Sequence, residues 1–343
     1  MGAAADRGRG VVIERLGSFL DEALGDSAEL TVEPMAGGGS CEVFGLERGG
    51  QRWVLRRAPT HRSSSTAHDV IREFRILDAI KDTGVRIPRP VVACDDPDVF
   101  GGRFYVMQRI DGVPVRGSIP DSWGSDPDRQ RRAFEELIDA LADVHAVDWQ
   151  AVGLEGLGHP DGFLARQVPR WVSQLDSYGG RDLPTARDLA GWLEQHRPAD
   201  QPSALFHGDY KLDNVLFALT SPPDLLAIVD WEMASIGDPL VDVAWAMIFH
   251  PERDKPMSLG TGSGTTFDFD QIPPAGELID RYARRSGRDL SGWPWYEVFA
   301  RWKLAITLEG SYAKWQRGES SKPIHEYFGR QADILLADAA RRI

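Results

Sequence analysis

The stretch from Leu205 to Glu232 constrains the fold more than any other part of the chain. It contains three short apolar segments, and a polar side chain borders each of them. Asp209 lies just after the first segment, Asn214 immediately precedes the second, and Asp230 directly follows the third. Apolar segments of this length between turn residues are typical of buried strands. Polar groups at the ends of such strands stand on rigid supports, so the stretch predicts a functional site.

The spacing of these three polar residues suggests a specific chemistry. An Asp, an Asn five residues later and a second Asp at the end of the next hairpin match the layout of enzymes that transfer phosphoryl groups. In that layout Asp209 orients an acceptor hydroxyl and takes its proton. Asn214 and Asp230 hold Mg²⁺, which prefers hard oxygen ligands and usually needs only one or two from protein side chains. A single Asp at a strand end is more often a turn or cap residue, so the prediction depends on the whole set.

Three motifs in this region carry a family resemblance. They are H-G-D-x-x-x-x-N, I-V-D-W-E and G-D-P-x-x-D, beginning at His207, Ile228 and Gly237. In this order and at this spacing they resemble the aminoglycoside phosphotransferase family of kinase-like enzymes. The closest resemblance is to the branch that includes the kinase-like domains fused to acyl-CoA dehydrogenases. It spans roughly Val32 to Trp315, most of the chain.

The resemblance implies a two-lobed protein-kinase-like fold of the α+β class. A small β-sheet N-lobe that covers the nucleotide is expected over residues 1–110. A mainly helical C-lobe, carrying the catalytic and substrate-binding residues, is expected over residues 111–343. The apolar periodicity predicts that the N-lobe begins with an amphipathic helix over residues 11–24, followed by a hairpin over residues 30–50.

The turn of that hairpin is rich in glycine. The resemblance implies that its backbone N–H groups cover the phosphates of the nucleotide. Three glycines in a hairpin turn also suit a turn with no further role. The residues concerned are Gly37, Gly38, Gly39 and Ser40.

Four further residues complete the implied nucleotide site. Arg56, on a strand predicted over residues 51–57, stands where kinases normally have Lys, and Arg is not interchangeable with Lys at a phosphate. Glu73, on a helix predicted over residues 68–81, is its implied ion-pair partner. An exposed strand arginine and an exposed helix glutamate are the alternatives. The backbone of Gln108 and Ile110, after the next apolar strand, is implied to meet the purine.

Other polar residues have predicted supporting roles. Asp238 and Asp242 open a helix, and the resemblance implies that they hold the catalytic loop. His145 is interpreted as a structural residue beneath that loop. Arg301 and Lys303 lie on a predicted C-terminal helix. They are expected either to contact an anionic substrate or to lie on an ordinary solvated face of that helix.

Composition excludes several classes of protein. A chain of 343 residues with 42% hydrophobic and 27% charged residues is typical of a soluble globular protein with room for two cores. The formal net charge of −13 argues against nucleic acid as a partner, because its phosphate backbone demands Lys and Arg.

No apolar run reaches membrane-spanning length. Cys41 and Cys94 lack metal-ligand spacing, which favours a reducing cytoplasm. Oligomeric state is not indicated.

The predicted function is therefore the transfer of a phosphoryl group from ATP or GTP, with Mg²⁺, to a hydroxyl of a small molecule. The acceptor is open between an aminoglycoside, a hydroxyacyl thioester and other hydroxyl compounds. A non-catalytic nucleotide-binding module is the alternative, and Arg56 is its best support. A protein kinase is disfavoured, since no A-P-E segment or activation loop follows Asp230.

Overall fold

The computed structural model describes residues 2–25, 27–35, 41–59, 69–116, 119–124, 126, 128–252 and 267–343. The chain divides into two compact units. The smaller unit comprises Met1–Gly112 together with Leu226–Glu232. The larger unit comprises Val113–Leu225 together with Met233–Ile343.

The smaller unit is built on a five-stranded antiparallel sheet. Its strands are β1 (Thr31–Pro34), β2 (Glu42–Arg48), β3 (Gln51–Arg57), β4 (Pro90–Cys94) and β5 (Phe104–Gln108). They are ordered β1-β2-β3-β5-β4, so β3 lies in the interior of the sheet. Gly49 and Gly50 join β2 to β3, both with positive φ (55° and 77°). A two-residue hairpin turn with positive φ at both positions matches the twist of the strands and favours glycine.

Helices cover this sheet. They are α1 (Gly2–Leu24), α2 (Val70–Ile80) and the single turn α3 (Pro97–Phe100). α1 begins nine residues before the predicted start at residue 11; the added residues include three alanines, which have the highest helix propensity. Leu16 and Leu20 of α1 pack into a buried cluster with Leu46, Leu55 and Phe104 of the sheet. α2 is capped by Asp69, whose carboxylate accepts from two backbone N–H groups.

The larger unit is mainly helical. β8 (Leu225–Ile228) spans the point where the chain passes from the larger to the smaller unit. Strands β6 (Ala204–Phe206) and β9 (Ser235–Gly237) pair antiparallel. The elements of the larger unit are α4 (Arg129–His145), α5 (Phe163–Ser177), α6 (Pro184–Gln195), β6 (Ala204–Phe206), β7 (Val215–Phe217), β9 (Ser235–Gly237), α7 (Leu240–Ile248), α8 (Ala275–Ser286), α9 (Trp293–Gln316) and α10 (Ile324–Ala340).

α9 is the central helix of the larger unit and packs against α5, α6, α7 and α10. Its buried face is aromatic, with Trp295 stacked on Phe299 at 4.9 Å between ring centroids. The indole N–H groups of Trp295 and Trp302 donate to the carbonyls of Leu193 and Ala186 in α6. A buried tryptophan thus satisfies its one polar atom while its ring fills the core.

This architecture confirms the predicted α+β class, with a small sheet in one unit and mainly helices in the other. None of the helices within the described ranges is long and apolar enough to cross a membrane.

Candidate functional site

Arg56 lies near the end of β3 and forms two ion pairs within the smaller unit. Its Nη1 is 3.2 Å from Oε1 of Glu73 on α2, and its Nη2 is 2.9 Å from Oδ1 of Asp230. Arg56 and Glu73 are both buried. The planar guanidinium can bridge two carboxylates in this way, which the single ammonium of a lysine does less well. The structure therefore brings three of the predicted site residues together in this unit.

Burial and charge compete at this cluster. Burial acts to lower the pKa of Arg56, but the carboxylates of Glu73 and Asp230 outweigh it and raise that pKa, so the guanidinium stays charged. Burial raises the pKa of Glu73 to about 7, against the attraction of Arg56. The Oε1 atom of Glu73 also accepts from the backbone N–H of Trp231 at 3.0 Å, so the cluster holds the segment that carries Asp230.

Asp230 adopts an unusual backbone conformation just after β8. Its φ is 70°, and among the described residues it is the one non-glycine with positive φ. Such a conformation is uncommon for a residue with a side chain, and strained residues of this kind cluster at functional sites. The side chain is about one-third exposed, at 32%, so its carboxylate reaches solvent as well as Arg56.

The structure gives less information about the other residues that were predicted to bind the nucleotide. Gly37, Gly38, Gly39 and Ser40 lie outside the described residues. Gln108 ends β5, and its N–H donates to the Arg89 carbonyl at 2.8 Å. That donor is therefore used within the protein. Ile110 follows two residues later and is half-buried, and contact of either residue with a purine stays a prediction.

The loop that carries Asp209 begins where β6 ends. Gly208 has φ 86°, and a Cβ at this position would meet three atoms of Met233 closer than 3.0 Å. Both observations require glycine here. The G of the H-G-D motif thus allows the turn that brings Asp209 to the end of the strand.

Asp242, in the first turn of α7, holds the backbone of this loop in place. Its carboxylate accepts the backbone N–H of His207 at 2.5 Å and that of Gly208 at 2.8 Å. Burial acts to raise the pKa of Asp242, but the contact with His145 and the charge and backbone N–H of His207 outweigh it and lower that pKa. The Asp242 carboxylate is therefore a charged structural support of the loop.

Three side chains donate to the carboxylate of Asp209. Lys211 Nζ lies 2.8 Å from Oδ1 and 2.7 Å from Oδ2. Asn214 Nδ2 donates to Oδ2 at 2.9 Å and to the Asp209 carbonyl at 2.8 Å. Trp245 Nε1 donates to Oδ1 at 2.9 Å. Charge-assisted bonds of this kind are strong, so the carboxylate is fixed in one orientation.

Two of these donors, Lys211 and Trp245, are absent from the sequence prediction. Lys211 had a detectable signal, because it is a cation two residues after Asp209 inside the H-G-D motif. Trp245 lies on α7, one helical turn past Asp242. The sequence pattern around it indicates only an ordinary core residue. Its indole N–H reaches Asp209 only through the packing of the larger unit.

Asn214 and Asp230 each offer an oxygen ligand of the kind that magnesium prefers, and their joint binding of one ion stays a prediction. The bonds made by Nδ2 of Asn214 leave its Oδ1 as the oxygen available to a cation, and Asp230 offers a carboxylate. Both are the hard oxygen ligands that Mg²⁺ prefers. Within the residues that the structure describes, no group of three or more His, Cys, Asp and Glu side chains could hold a metal ion. Asn214 belongs to the larger unit and Asp230 to the smaller one.

Comparison with known proteins identifies relatives of this architecture. The family model described as "Phosphotransferase enzyme family" matches residues 31–299. Acyl-CoA dehydrogenase family member 11 of Gallus gallus is 34% identical over 314 residues, which cover 89% of this chain and 39% of that protein. The chain thus spans about two fifths of the length of this relative.

Solved structures show the same fold. A proposed aminoglycoside phosphotransferase from Ralstonia eutropha JMP134 is 28% identical, with a TM-score of 0.82 over 96% of this chain and 98% of that one. A spectinomycin phosphotransferase in complex with ADP and spectinomycin is 12% identical, with a TM-score of 0.61 over 96% of this chain and 98% of that one. The expected two-lobed, kinase-like fold is thereby confirmed.

Proposed function

Since the chain belongs to the phosphotransferase enzyme family, we propose that it transfers the γ-phosphoryl group of ATP to a hydroxyl group of a small molecule. The similar fold of a spectinomycin phosphotransferase that binds ADP supports a nucleotide as donor. GTP is the alternative donor. The purine is expected to contact backbone groups, and such contacts depend little on side-chain identity, so the sequence does not distinguish ATP from GTP. A reducing compartment such as the cytoplasm is part of the proposal, because Cys41 and Cys94 are both free thiols.

The observation that carries this proposal is the arrangement around Asp209. Its carboxylate stands at the end of β6 on a loop whose backbone is held by Asp242. Three side-chain donors then fix its orientation. A general base must present its oxygen in a defined direction to the proton that it removes. A carboxylate that served only as a turn or cap would accept backbone N–H groups, as Asp242 does.

In the proposed reaction Asp209 accepts a hydrogen bond from the acceptor hydroxyl and takes its proton. The hydroxyl oxygen bonds to the γ-phosphorus of ATP while the bond from that phosphorus to the leaving ADP breaks. Lys211 and Trp245 keep the carboxylate aligned during this step, and Asn214 does so through Nδ2. Catalysis of this type depends mainly on positioning and charge, with little covalent work for the protein.

The remaining predicted residues are assigned to the nucleotide. We assign Arg56 to the phosphates, with Glu73 holding the guanidinium in place. Asn214 Oδ1 and the Asp230 carboxylate are the proposed ligands of Mg²⁺. When bound, the ion neutralises the charge of the phosphate groups. The backbone of the glycine turn and of Gln108 and Ile110 completes the proposed nucleotide contacts.

The test of the proposal is the variant Asp209→Asn. Transfer of ³²P from [γ-³²P]ATP to a panel of hydroxyl compounds is measured with and without Mg²⁺. The panel contains aminoglycosides, hydroxyacyl thioesters and simple hydroxy acids. Loss of the base should reduce the turnover number by about 10²–10⁴-fold. Asp188→Asn, at an exposed carboxylate on α6 of the same unit, is the matched control and should retain turnover. Full activity in Asp209→Asn would disprove the assignment of the base.

A second candidate function is a nucleotide-binding module without catalysis. The ion pair between Arg56 and Asp230 favours this alternative. Arg56 is the residue proposed to bind phosphate and Asp230 is a proposed metal ligand, so each is already bound to the other. Calorimetric titration with ATP, with and without Mg²⁺, separates the two functions when combined with the transfer assay. Tight ATP binding with no turnover on any acceptor would support the module and reject the enzyme.

A further inference from the structure

A lysine of α9 holds its ammonium group against two tryptophan rings in the larger unit. Lys303 Nζ lies 4.5 Å from the ring centroid of Trp245 on α7 and 5.6 Å from that of Trp171 on α5. Both distances fall within the range of a cation–π interaction. Three helices thus converge on one positive charge, which contradicts the interpretation of Lys303 as an ordinary solvated helix residue.

This ammonium has no anionic partner in the part of the chain that the structure describes. No described carboxylate lies within 4.0 Å of Nζ, and its described contacts are the two rings. Arg301, two residues earlier, behaves differently, because its Nε pairs with Asp338 at 2.6 Å. Both cations were predicted to contact an anionic substrate or to lie on a solvated helix face. Arg301 is already paired with a carboxylate, whereas the ammonium of Lys303 is available to an anionic ligand.

Burial of this charge carries a cost for which the described part of the protein compensates only in part. Burial lowers the pKa of Lys303, and this outweighs the attraction of Asp242 and Asp209. An ammonium that loses water normally gains an anion in exchange. Two aromatic faces compensate only in part, which leaves a strong hydrogen-bond donor ready for an anionic ligand.

The position of Lys303 connects it to the proposed base. The indole of Trp245 donates from its edge to Oδ1 of Asp209, and Lys303 lies over the face of the same ring. The ammonium and the Asp209 carboxylate therefore contact the same indole ring. A small molecule whose hydroxyl meets Asp209 can reach Lys303 with a second functional group.

Two further cations lie near this point, beside the carboxylates of Asp209 and Asp242. Lys211 pairs with Asp209 and lies 5.4 Å from the ring centroid of Phe249. The charge of Arg170 also acts to lower the pKa of Lys303. Despite the net charge of −13, the described surroundings of Asp209 thus place cations beside the carboxylates, and this mixed charge does not favour a polyamine.

We propose that Lys303 binds an anionic group of the acceptor, so that the acceptor is a hydroxy compound carrying a carboxylate or a phosphate and not a polycationic aminoglycoside. The proposal rests on the proposed function, because it names the substrate class of that same site. It assigns Lys303 to acceptor binding and leaves proton removal to Asp209.

Binding is measured directly by isothermal titration calorimetry of the full chain with matched probes. 3-Hydroxybutyrate is compared with 3-hydroxybutyramide, and glycerol 3-phosphate with glycerol, so that carboxylate and phosphate are tested separately. Kanamycin is the polycationic probe. We expect at least one anionic probe to bind about tenfold or more tightly than its neutral partner, the usual effect of one charged hydrogen bond.

Variants of Lys303 test whether this preference comes from its charge. Lys303→Met should abolish the difference between anionic and neutral probes, and Lys303→Arg should keep most of it. Lys314→Met, at an exposed position on the same helix, is the matched control and should bind as the wild type does. Equal binding of anionic and neutral probes by the wild type, preferred binding of kanamycin, or no binding of either anion would overturn the proposal. So would an unchanged preference in Lys303→Met.

Turnover is measured separately, so that the two proposals fail independently. Selective anion binding that depends on Lys303, without ³²P transfer to any acceptor, would support this inference and reject the enzymatic function. Transfer to kanamycin that is unaffected by Lys303→Met would support the enzyme and reject the anionic acceptor.

Discussion

The indole N–H of Trp245 donates a hydrogen bond to the carboxylate of Asp209 across 2.9 Å. Trp245 stands on α7, and Asp209 stands on the loop after β6. The same helix carries Asp242, which holds the backbone of that loop. α7 therefore supports the proposed base twice, once through the main chain and once through the side chain.

Replacement of Trp245 by Phe tests the side-chain contact. The variant keeps an aromatic ring beneath Lys303 but loses the N–H donor, so the carboxylate of Asp209 loses one of its three side-chain donors. We expect the turnover number to fall by about 10-fold or more, the usual effect of one hydrogen bond to a charged group. Steady-state kinetics provide the measurement, with Trp192→Phe on α6 as a control that should keep wild-type turnover. Unchanged turnover in Trp245→Phe would show that Lys211 and Asn214 are sufficient.

Replacement of Arg56 by Met tests the buried ion pairs of the smaller unit. The change leaves the Glu73 carboxylate buried without its cation, so we expect the free energy of unfolding to fall by about 3–5 kcal/mol. The double variant Arg56→Met, Glu73→Leu removes both charges and should recover part of this loss. Urea unfolding monitored by circular dichroism measures both effects, and Arg52→Met at an exposed position is the control. A double variant no more stable than Arg56→Met would argue against a buried unpaired charge as the cause.

Gly208→Ala tests the turn that carries Asp209. The new methyl group would overlap Met233, and alanine is disfavoured at φ 86°. We expect a loss of about 1–3 kcal/mol in the free energy of unfolding, together with reduced turnover, because the loop must move. Gly191→Ala provides the contrast, because a Cβ at this position of α6 meets nothing within 4 Å. In a helix interior that exchange should stabilise the protein by up to about 1 kcal/mol. Equal effects of the two substitutions would refute the steric argument.

His145 should make stability depend on pH. Burial lowers its pKa below the ordinary value, although the nearby Asp242 acts to raise it. The unfolded chain then binds the proton more readily than the folded one, so protonation favours unfolding. This contribution to stability is complete above the ordinary pKa of about 6.5 and is lost as the pH falls through the lower pKa of the folded protein. His145→Asn should reduce the decrease in the urea midpoint between about pH 7 and pH 5. Parallel pH profiles for the two proteins would contradict the assignment.

Much of the fold followed from local sequence pattern. The predicted strand over residues 51–57 coincides with β3, and the helix predicted around Glu73 is present as α2. The periods of apolar residues differ between helices and strands, so such elements can be recognised without tertiary information. The start of α1 was missed because its first residues carry no apolar pattern.

The polar residues of the candidate site were predictable to a smaller extent. Asp209, Asn214 and Asp230 belong to short motifs whose spacing is visible in the chain. Lys303 and Trp245 belong to no such motif. Their contacts join residues far apart in sequence, and no local pattern records which side chains of two packed helices will meet.

The sequence by itself determined the helices and strands, the family and the identity of the residues at the ends of the strands. Only the tertiary structure decided that residues 226–232 belong to the smaller unit, where Asp230 meets Arg56. Packing likewise decided that Asp209 receives three side-chain donors and that Lys303 lies between two tryptophans without an anion in the described part of the chain. The physical reason is that backbone preference and apolar periodicity act over a few residues, whereas ion pairs and cation–π contacts depend on distances that exist only once the core has formed.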